Sequence, residues 1–166
     1  MMSMKKRMIA GLMSLLLLWG SAYAQTGKQA PAYPPSVPKP TLAEVRYGDH
    51  ERHVLDFWKA PSDTPTPLVV CIHSGAWVSG SKERLLKFVD IEPFLKEGIS
   101  VIAINYRLIR NIKDVVPPVK APLHDAARAL QFVRSKADEW NIDKERIGAM
   151  GVSAGACSSL WLALSR

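Results

Sequence analysis

The stretch Arg146-Ile147-Gly148-Ala149-Met150-Gly151-Val152-Ser153-Ala154-Gly155-Ala156 decides the fold. Residues 146–150 read as a short buried strand, and the apolar run 156–164 behind them reads as a helix. Between the two stands G-x-S-x-G, in which glycines at 151 and 155 let a strand turn sharply into a helix with Ser153 at the tip. A bulky side chain at either glycine would collide across that turn. The helix behind Ser153 presents orphan N–H groups and the positive end of its dipole, both suited to a developing negative charge. The pentapeptide alone is a modest signal; the strand before it and the helix after it give it weight.

Upstream of this turn the sequence alternates short apolar runs with helical periods, the mark of βα units and a mostly parallel sheet with flanking helices. The expected strands are residues 43–47, 53–58, 68–73, 100–106 and 146–150, the first two joined through Gly48-Asp49 as a hairpin. Leu85, Phe88, Val89, Phe94 and Leu95 mark one helix after a Ser81 cap, interrupted near Pro93 and stopped by Gly98. Leu123, Ala127, Leu130, Val133, Ala137 and Trp140 recur every three or four residues and predict a single longer helix.

A second constellation, His73-Ser74-Gly75-Ala76-Trp77, follows the apolar strand ending at Ile72. A carbonyl oxygen that becomes an oxyanion needs two or three N–H donors at about 3 Å, and small residues let the backbone come that close. Gly75 and Ala76 are the expected donors, with Ala154 after the serine as the third. Trp77 is a candidate wall for the substrate pocket, or equally a core residue under the loop.

The two motifs in this order resemble the hormone-sensitive-lipase-like branch of the α/β-hydrolase family and the BD-FAE-type esterases, a group that includes carbohydrate esterases. Asn105-Tyr106-Arg107-Leu108 and the stretch 125–155 add to the likeness, which covers about residues 43–164. The resemblance implies hydrolysis of a small-molecule carboxylic ester through an acyl-enzyme on Ser153, with Gly75, Ala76 and Ala154 as the oxyanion hole and His73 shaping its loop. It implies no cofactor and no metal. Ser74 departs from the family's usual glycine. In this fold an acid and then a histidine follow the nucleophile, yet residues 154–166 contain no Asp, Glu or His. The expectation is therefore the N-terminal part of such a domain, truncated after the nucleophile-elbow helix and catalytically inert, or nearly so, as it stands. A peptidase of the same fold, a binding protein built on it, and a truncated product without function are the alternatives. His124-Asp125 is no substitute dyad, because neighbours on a helix point about 100° apart; His124 is read as a residue near a helix start.

The front of the chain carries Lys5, Lys6 and Arg7, an apolar run over 8–19 and Ala22-Tyr23-Ala24, the layout of a signal peptide spanning residues 1–24. An extracytoplasmic protein, periplasmic or secreted, without stable membrane insertion after cleavage is expected. Residues 25–40, QTGKQAPAYPPSVPKP, read as a proline-rich extended tether, and residues 41–166 as the hydrolase part. Losing three basic residues with the leader lowers the net charge from +7 to +4. Arg107, Arg110 and Lys113 are read as a solvated face and not a nucleic-acid surface. Cys71 and Cys157 are expected to behave as free small hydrophobes, although export would permit a bridge.

Overall fold

A computed structural model describes residues 33–85 and 88–165; the expected leader and the first part of the tether lie outside the described residues. Five strands form one sheet: β1 (Leu42–Arg46), β2 (Val54–Trp58), β3 (Thr66–Ile72), β4 (Ser100–Ile104) and β5 (Ile142–Gly151). Their order is β1-β2-β4-β3-β5. β4, β3 and β5 run parallel, while β2 and β1 add on antiparallel at one side, so the sheet is mixed. The helices are α1 (Lys82–Leu85), α2 (Glu92–Lys96), α3 (Lys120–Ser135), α4 (Ala137–Trp140) and α5 (Ala154–Leu164).

The central strands alternate their side chains between two apolar layers, as strand geometry requires. Leu68, Val70, Ile72, Ile102 and Ile104 face α3, where Ala126, Ala129 and Val133 lie with Trp140, whose ring stacks on Phe57 at 4.8 Å. Cys71, Val101 and Ala103 point the other way with Trp58, against Val89 and Ile91. Strands buried on both faces read as continuous apolar runs, which is why β3 and β4 stand out in the sequence.

Three local readings change. The pattern through residues 123–140 is two helices, because the chain leaves helical geometry at Lys136 and α4 ends on Asn141 at φ 58°. The pattern around residues 85–95 is likewise two short helices, with Pro93 in the first turn of α2, where its missing N–H costs nothing. From Tyr33 onward the tether is docked and includes a turn, in which the Val37 N–H donates to the Pro34 carbonyl at 2.9 Å. Tyr33 meets Trp58 edge-on at 5.3 Å and donates its hydroxyl to Asp56, and the Trp58 indole N–H donates to the Pro38 carbonyl at 2.8 Å. Proline content predicts an extended path; it says nothing about whether that path lies on an aromatic shelf.

Both cysteines are free. Cys71 is buried, which pushes its thiol up to about 12. Cys157 is exposed on α5, not covered as a small hydrophobe would be.

Candidate active site

In the β3–β5 pairing Ile72 stands opposite Gly151, so the two motifs leave adjacent parallel strands at the same level and from the same edge of the sheet. After Gly151 the chain turns through Ser153 at φ 54°, ψ −117°, a backbone state that non-glycine residues rarely hold and that clusters at functional turns. The flanking glycines are required by contact. A Cβ at Gly155 would overlap the Ile72 carbonyl, and one at Gly151 would lie 2.6 Å from the Gly155 carbonyl carbon. The collision foreseen across the turn is thus partly a collision with the end of β3, which ties the elbow to the neighbouring strand.

Ser153 is exposed at the tip, and α5 begins at Ala154. As the first helical residue, Ala154 has an N–H without an intrahelical acceptor. Among the described residues no hydrogen bond reaches the Ser153 hydroxyl from any side chain.

The loop after β3 holds three consecutive residues at positive φ: Gly75 at 113°, Ala76 at 51° and Trp77 at 57°. For the two with a Cβ this costs roughly 1–2 kcal/mol each, so surrounding contacts must hold them there. Ser74 is not in the left-handed region, and a serine fits where the resemblance has glycine; Gly75, by contrast, could not carry a Cβ without overlapping the Ser79 carbonyl. The Gly75 carbonyl accepts from the Val78 and Ser79 N–H groups at 2.9 and 3.1 Å, closing the turn. Trp77 is half-buried against the α3-side core, and its indole N–H donates to Ser158 Oγ at 3.0 Å, which in turn donates to the Ala154 carbonyl. The loop is thereby fastened to the first turn of α5.

His73 is fully buried. Its ring stacks on Tyr106 at 4.0 Å, its Nδ1–H donates to the Ser74 carbonyl at 2.8 Å, and its own carbonyl accepts from the Tyr106 hydroxyl at 2.8 Å. Burial lowers its pKa to about 4, so it is neutral at physiological pH. The other histidines are placed elsewhere: His50 and His53 just before β2, and His124 exposed on α3 beside Trp161.

Sequence reasoning missed two polar clusters at this edge. Asp125, fully buried on α3, accepts from the Arg107 backbone N–H at 2.9 Å and from its guanidinium at 2.7 Å, and lies 3.0 Å from His53 Nε2. Burial alone would raise the Asp125 carboxyl, but the Arg107 bonds prevail and hold it below the usual range. Arg107 is therefore a structural partner, not part of a solvated face. In the second cluster the carboxylates of Glu44, Asp56 and Glu83 come within 4.8 Å of one another, and the buried ammonium of Lys82 sits among them, 3.0 Å from Asp56 and 2.5 Å from Glu83. The cation of that cage is a side chain.

The family model of BD-FAE matches residues 55–166. Esterase LipC of Mycobacterium tuberculosis is 30% identical over 116 residues, 67% of this chain and 27% of its own length. The arylesterase of Saccharolobus solfataricus is 29% identical, over 72% of this chain and 39% of its own length. Among solved structures, a truncated form of a carbohydrate esterase from gut microbiota superposes with a TM-score of 0.63 at 28% identity, covering 78% of this chain and 45% of that one. Esterase 2 of Thermogutta terrifontis gives 0.60 at 26% identity, over 75% and 47%. The chain spans less than half the length of each.

Proposed function

The chain belongs to the BD-FAE family, and from that premise we propose that it carries the nucleophile and the oxyanion hole of an exported carboxylic ester hydrolase. The observation that carries the proposal is the Ile72–Gly151 register, which starts the His73 loop and the Ser153 turn side by side.

In this reading Ser153 Oγ attacks the ester carbonyl carbon and its proton passes to a general base. The carbonyl oxygen takes up the electron pair and is held by the N–H groups of Gly75, Ala76 and Ala154. Collapse expels the alcohol, which takes a proton back, and water then releases the acid from the acyl-serine. His73 is not the base, since its Nδ1–H is committed to Ser74 and its ring is enclosed. A general base takes the Ser153 proton, and an acid orients the base. Trp77 borders the acyl or alcohol side of the pocket, and the substrate is a short acyl or carbohydrate-linked ester met outside the cytoplasm after removal of residues 1–24. Among the described residues no helix is long and apolar enough to cross a membrane.

A base supplied from solution tests this. Imidazole added to the purified protein is expected to raise turnover of a short-chain aryl ester above the level of a Ser153→Ala control, with fluorophosphonate labelling on Ser153. Equal turnover by the two proteins at every imidazole concentration would remove Ser153 from the chemistry.

A further inference from the structure

Arg52 precedes β2, and the antiparallel pairing of β2 with β4 sets it level with the end of β4: Leu55 pairs with Ile104, and the Asn105 N–H donates to the Val54 carbonyl. From there its side chain crosses to the far end of the loop over residues 73–80. Its Nε donates to the Tyr106 carbonyl at 2.6 Å, and Nη2 donates to the Gly80 carbonyl at 2.9 Å while lying 3.4 Å from His73 Nε2. One planar guanidinium thus touches the residue that opens the loop, the residue that closes it and the chain leaving β4 at Tyr106. The two ends also abut each other directly, since a Cβ on Gly80 would fall 2.5 Å from the Ser74 carbonyl and 2.7 Å from His73 Nδ1.

We propose that Arg52 is the positioning residue of the oxyanion loop, holding residues 73–80 closed so that Gly75, Ala76 and Trp77 keep their left-handed backbone. The proposal rests on reading this loop as the oxyanion cradle. Two consequences follow from the donor pattern. A guanidinium only donates, so the His73 Nε2 it faces is the acceptor and the ring proton stays on Nδ1, where it closes the bond to Ser74. A fixed positive charge beside a buried imidazole also opposes its protonation, alongside the larger effect of burial. Lysine cannot replace this geometry, because an ammonium lacks the planar fork that serves three sites at once.

The test reads the loop directly and needs no turnover, so it can fail while the Ser153 reading stands, and the reverse. Nitrogen-15 spectra of the His73 ring in the unaltered protein are expected to show a neutral Nδ1–H tautomer from pH 5 to 8. An Nε2–H tautomer, or titration near the ordinary histidine value, would overturn the proposal without any variant. In an Arg52→Gln protein that keeps its melting cooperativity the His73 pKa should rise, whereas Arg52→Lys, which keeps the positive charge, should move it less. The Gly75 and Ala76 amide signals should broaden or shift, less in the lysine form. A Tyr106→Phe variant, which also loosens the loop but leaves the guanidinium in place, should move the amides and leave the tautomer as it was. Unchanged Gly75, Ala76 and His73 signals in folded Arg52→Gln would sink the assignment.

Discussion

The two halves of the candidate site are held in different ways. The loop side, at the ends of β3 and β4, is fastened by long-range polar contacts: Arg52 to three groups, Tyr106 to His73, Arg107 to buried Asp125. The serine side, β5 and α5, relies on close backbone approach at Gly151 and Gly155, and outward from there it is open. Among the described residues β5 lies at the edge of the sheet, and Leu160 and Leu164 on α5 are 64% and 79% exposed. The electrostatic half of the site is braced within the described residues, whereas the nucleophile half has one face still uncovered.

The sharpest break on the braced side is at Asp125. Removing one member of a buried ion pair leaves its partners uncompensated and typically costs about 3–5 kcal/mol. Asp125→Ala should lower stability by that order, measured by urea unfolding, with Asp125→Asn less severe because it keeps an acceptor for the Arg107 N–H. The same group sets a pH dependence. Its folded pKa is depressed, so its contribution is complete above the unfolded carboxylate value near 4 and is lost as pH falls through the folded value. Melting temperature should therefore drop on acidification below about pH 4 in the wild type, and drop less in Asp125→Asn.

On the serine side the comparison sharpens with two glycines. A methyl group at Gly155 would overlap the Ile72 carbonyl, while one at Gly148 on β5 meets nothing within 4 Å. Gly155→Ala should cost roughly 1–3 kcal/mol through forced backbone movement, and Gly148→Ala close to nothing. Equal effects in a thermal melt would mean that elbow and strand do not approach as described.

The seam between the halves is the Trp77–Ser158 hydrogen bond. Trp77→Phe keeps most of the packing and removes the donor, for an expected loss of about 0.5–1.5 kcal/mol. If the seam couples the halves, Ser158→Ala should lose a similar amount, and the double variant little more than either alone.

These contrasts also mark what the sequence could tell. Apolar runs marked β2, β3 and β4, and a strand-turn-helix surrounds Ser153, so the strands, the hairpin and both motifs were legible; β5, however, begins at Ile142 and lies largely exposed over residues 146–150, not buried as its apolar letters suggest. Arg52, Arg107 and Asp125 were not legible. Arg107 and Asp125 are 18 positions apart and Arg52 reaches 54 positions to Tyr106, with no periodicity or spacing rule linking them. The docked path of Tyr33 to Pro40 was hidden for a related reason: proline composition gives the backbone shape, and only the partner surface, Trp58 and Asp56, gives its place. Lys136 interrupts the apolar period of residues 123–140 without any glycine or proline to announce it.

The smallest expected effect on stability concerns the uncovered face, and it has the clearest readout in association. A helix that is apolar on most sides is ordinarily enclosed, and an unpaired strand edge is a template for another chain. Here α5 reads AGACSSLWLAL with Leu160 and Leu164 exposed, and among the described residues β5 is an edge strand. Leu160→Lys together with Leu164→Lys changes residues that touch little, so unfolding should shift by no more than about 0.5 kcal/mol per site. Sedimentation should nonetheless move from concentration-dependent association in the parent toward a single monomeric species. A parent that is monomeric at all concentrations would show that the serine side is closed without help, and would erase the contrast between the two halves.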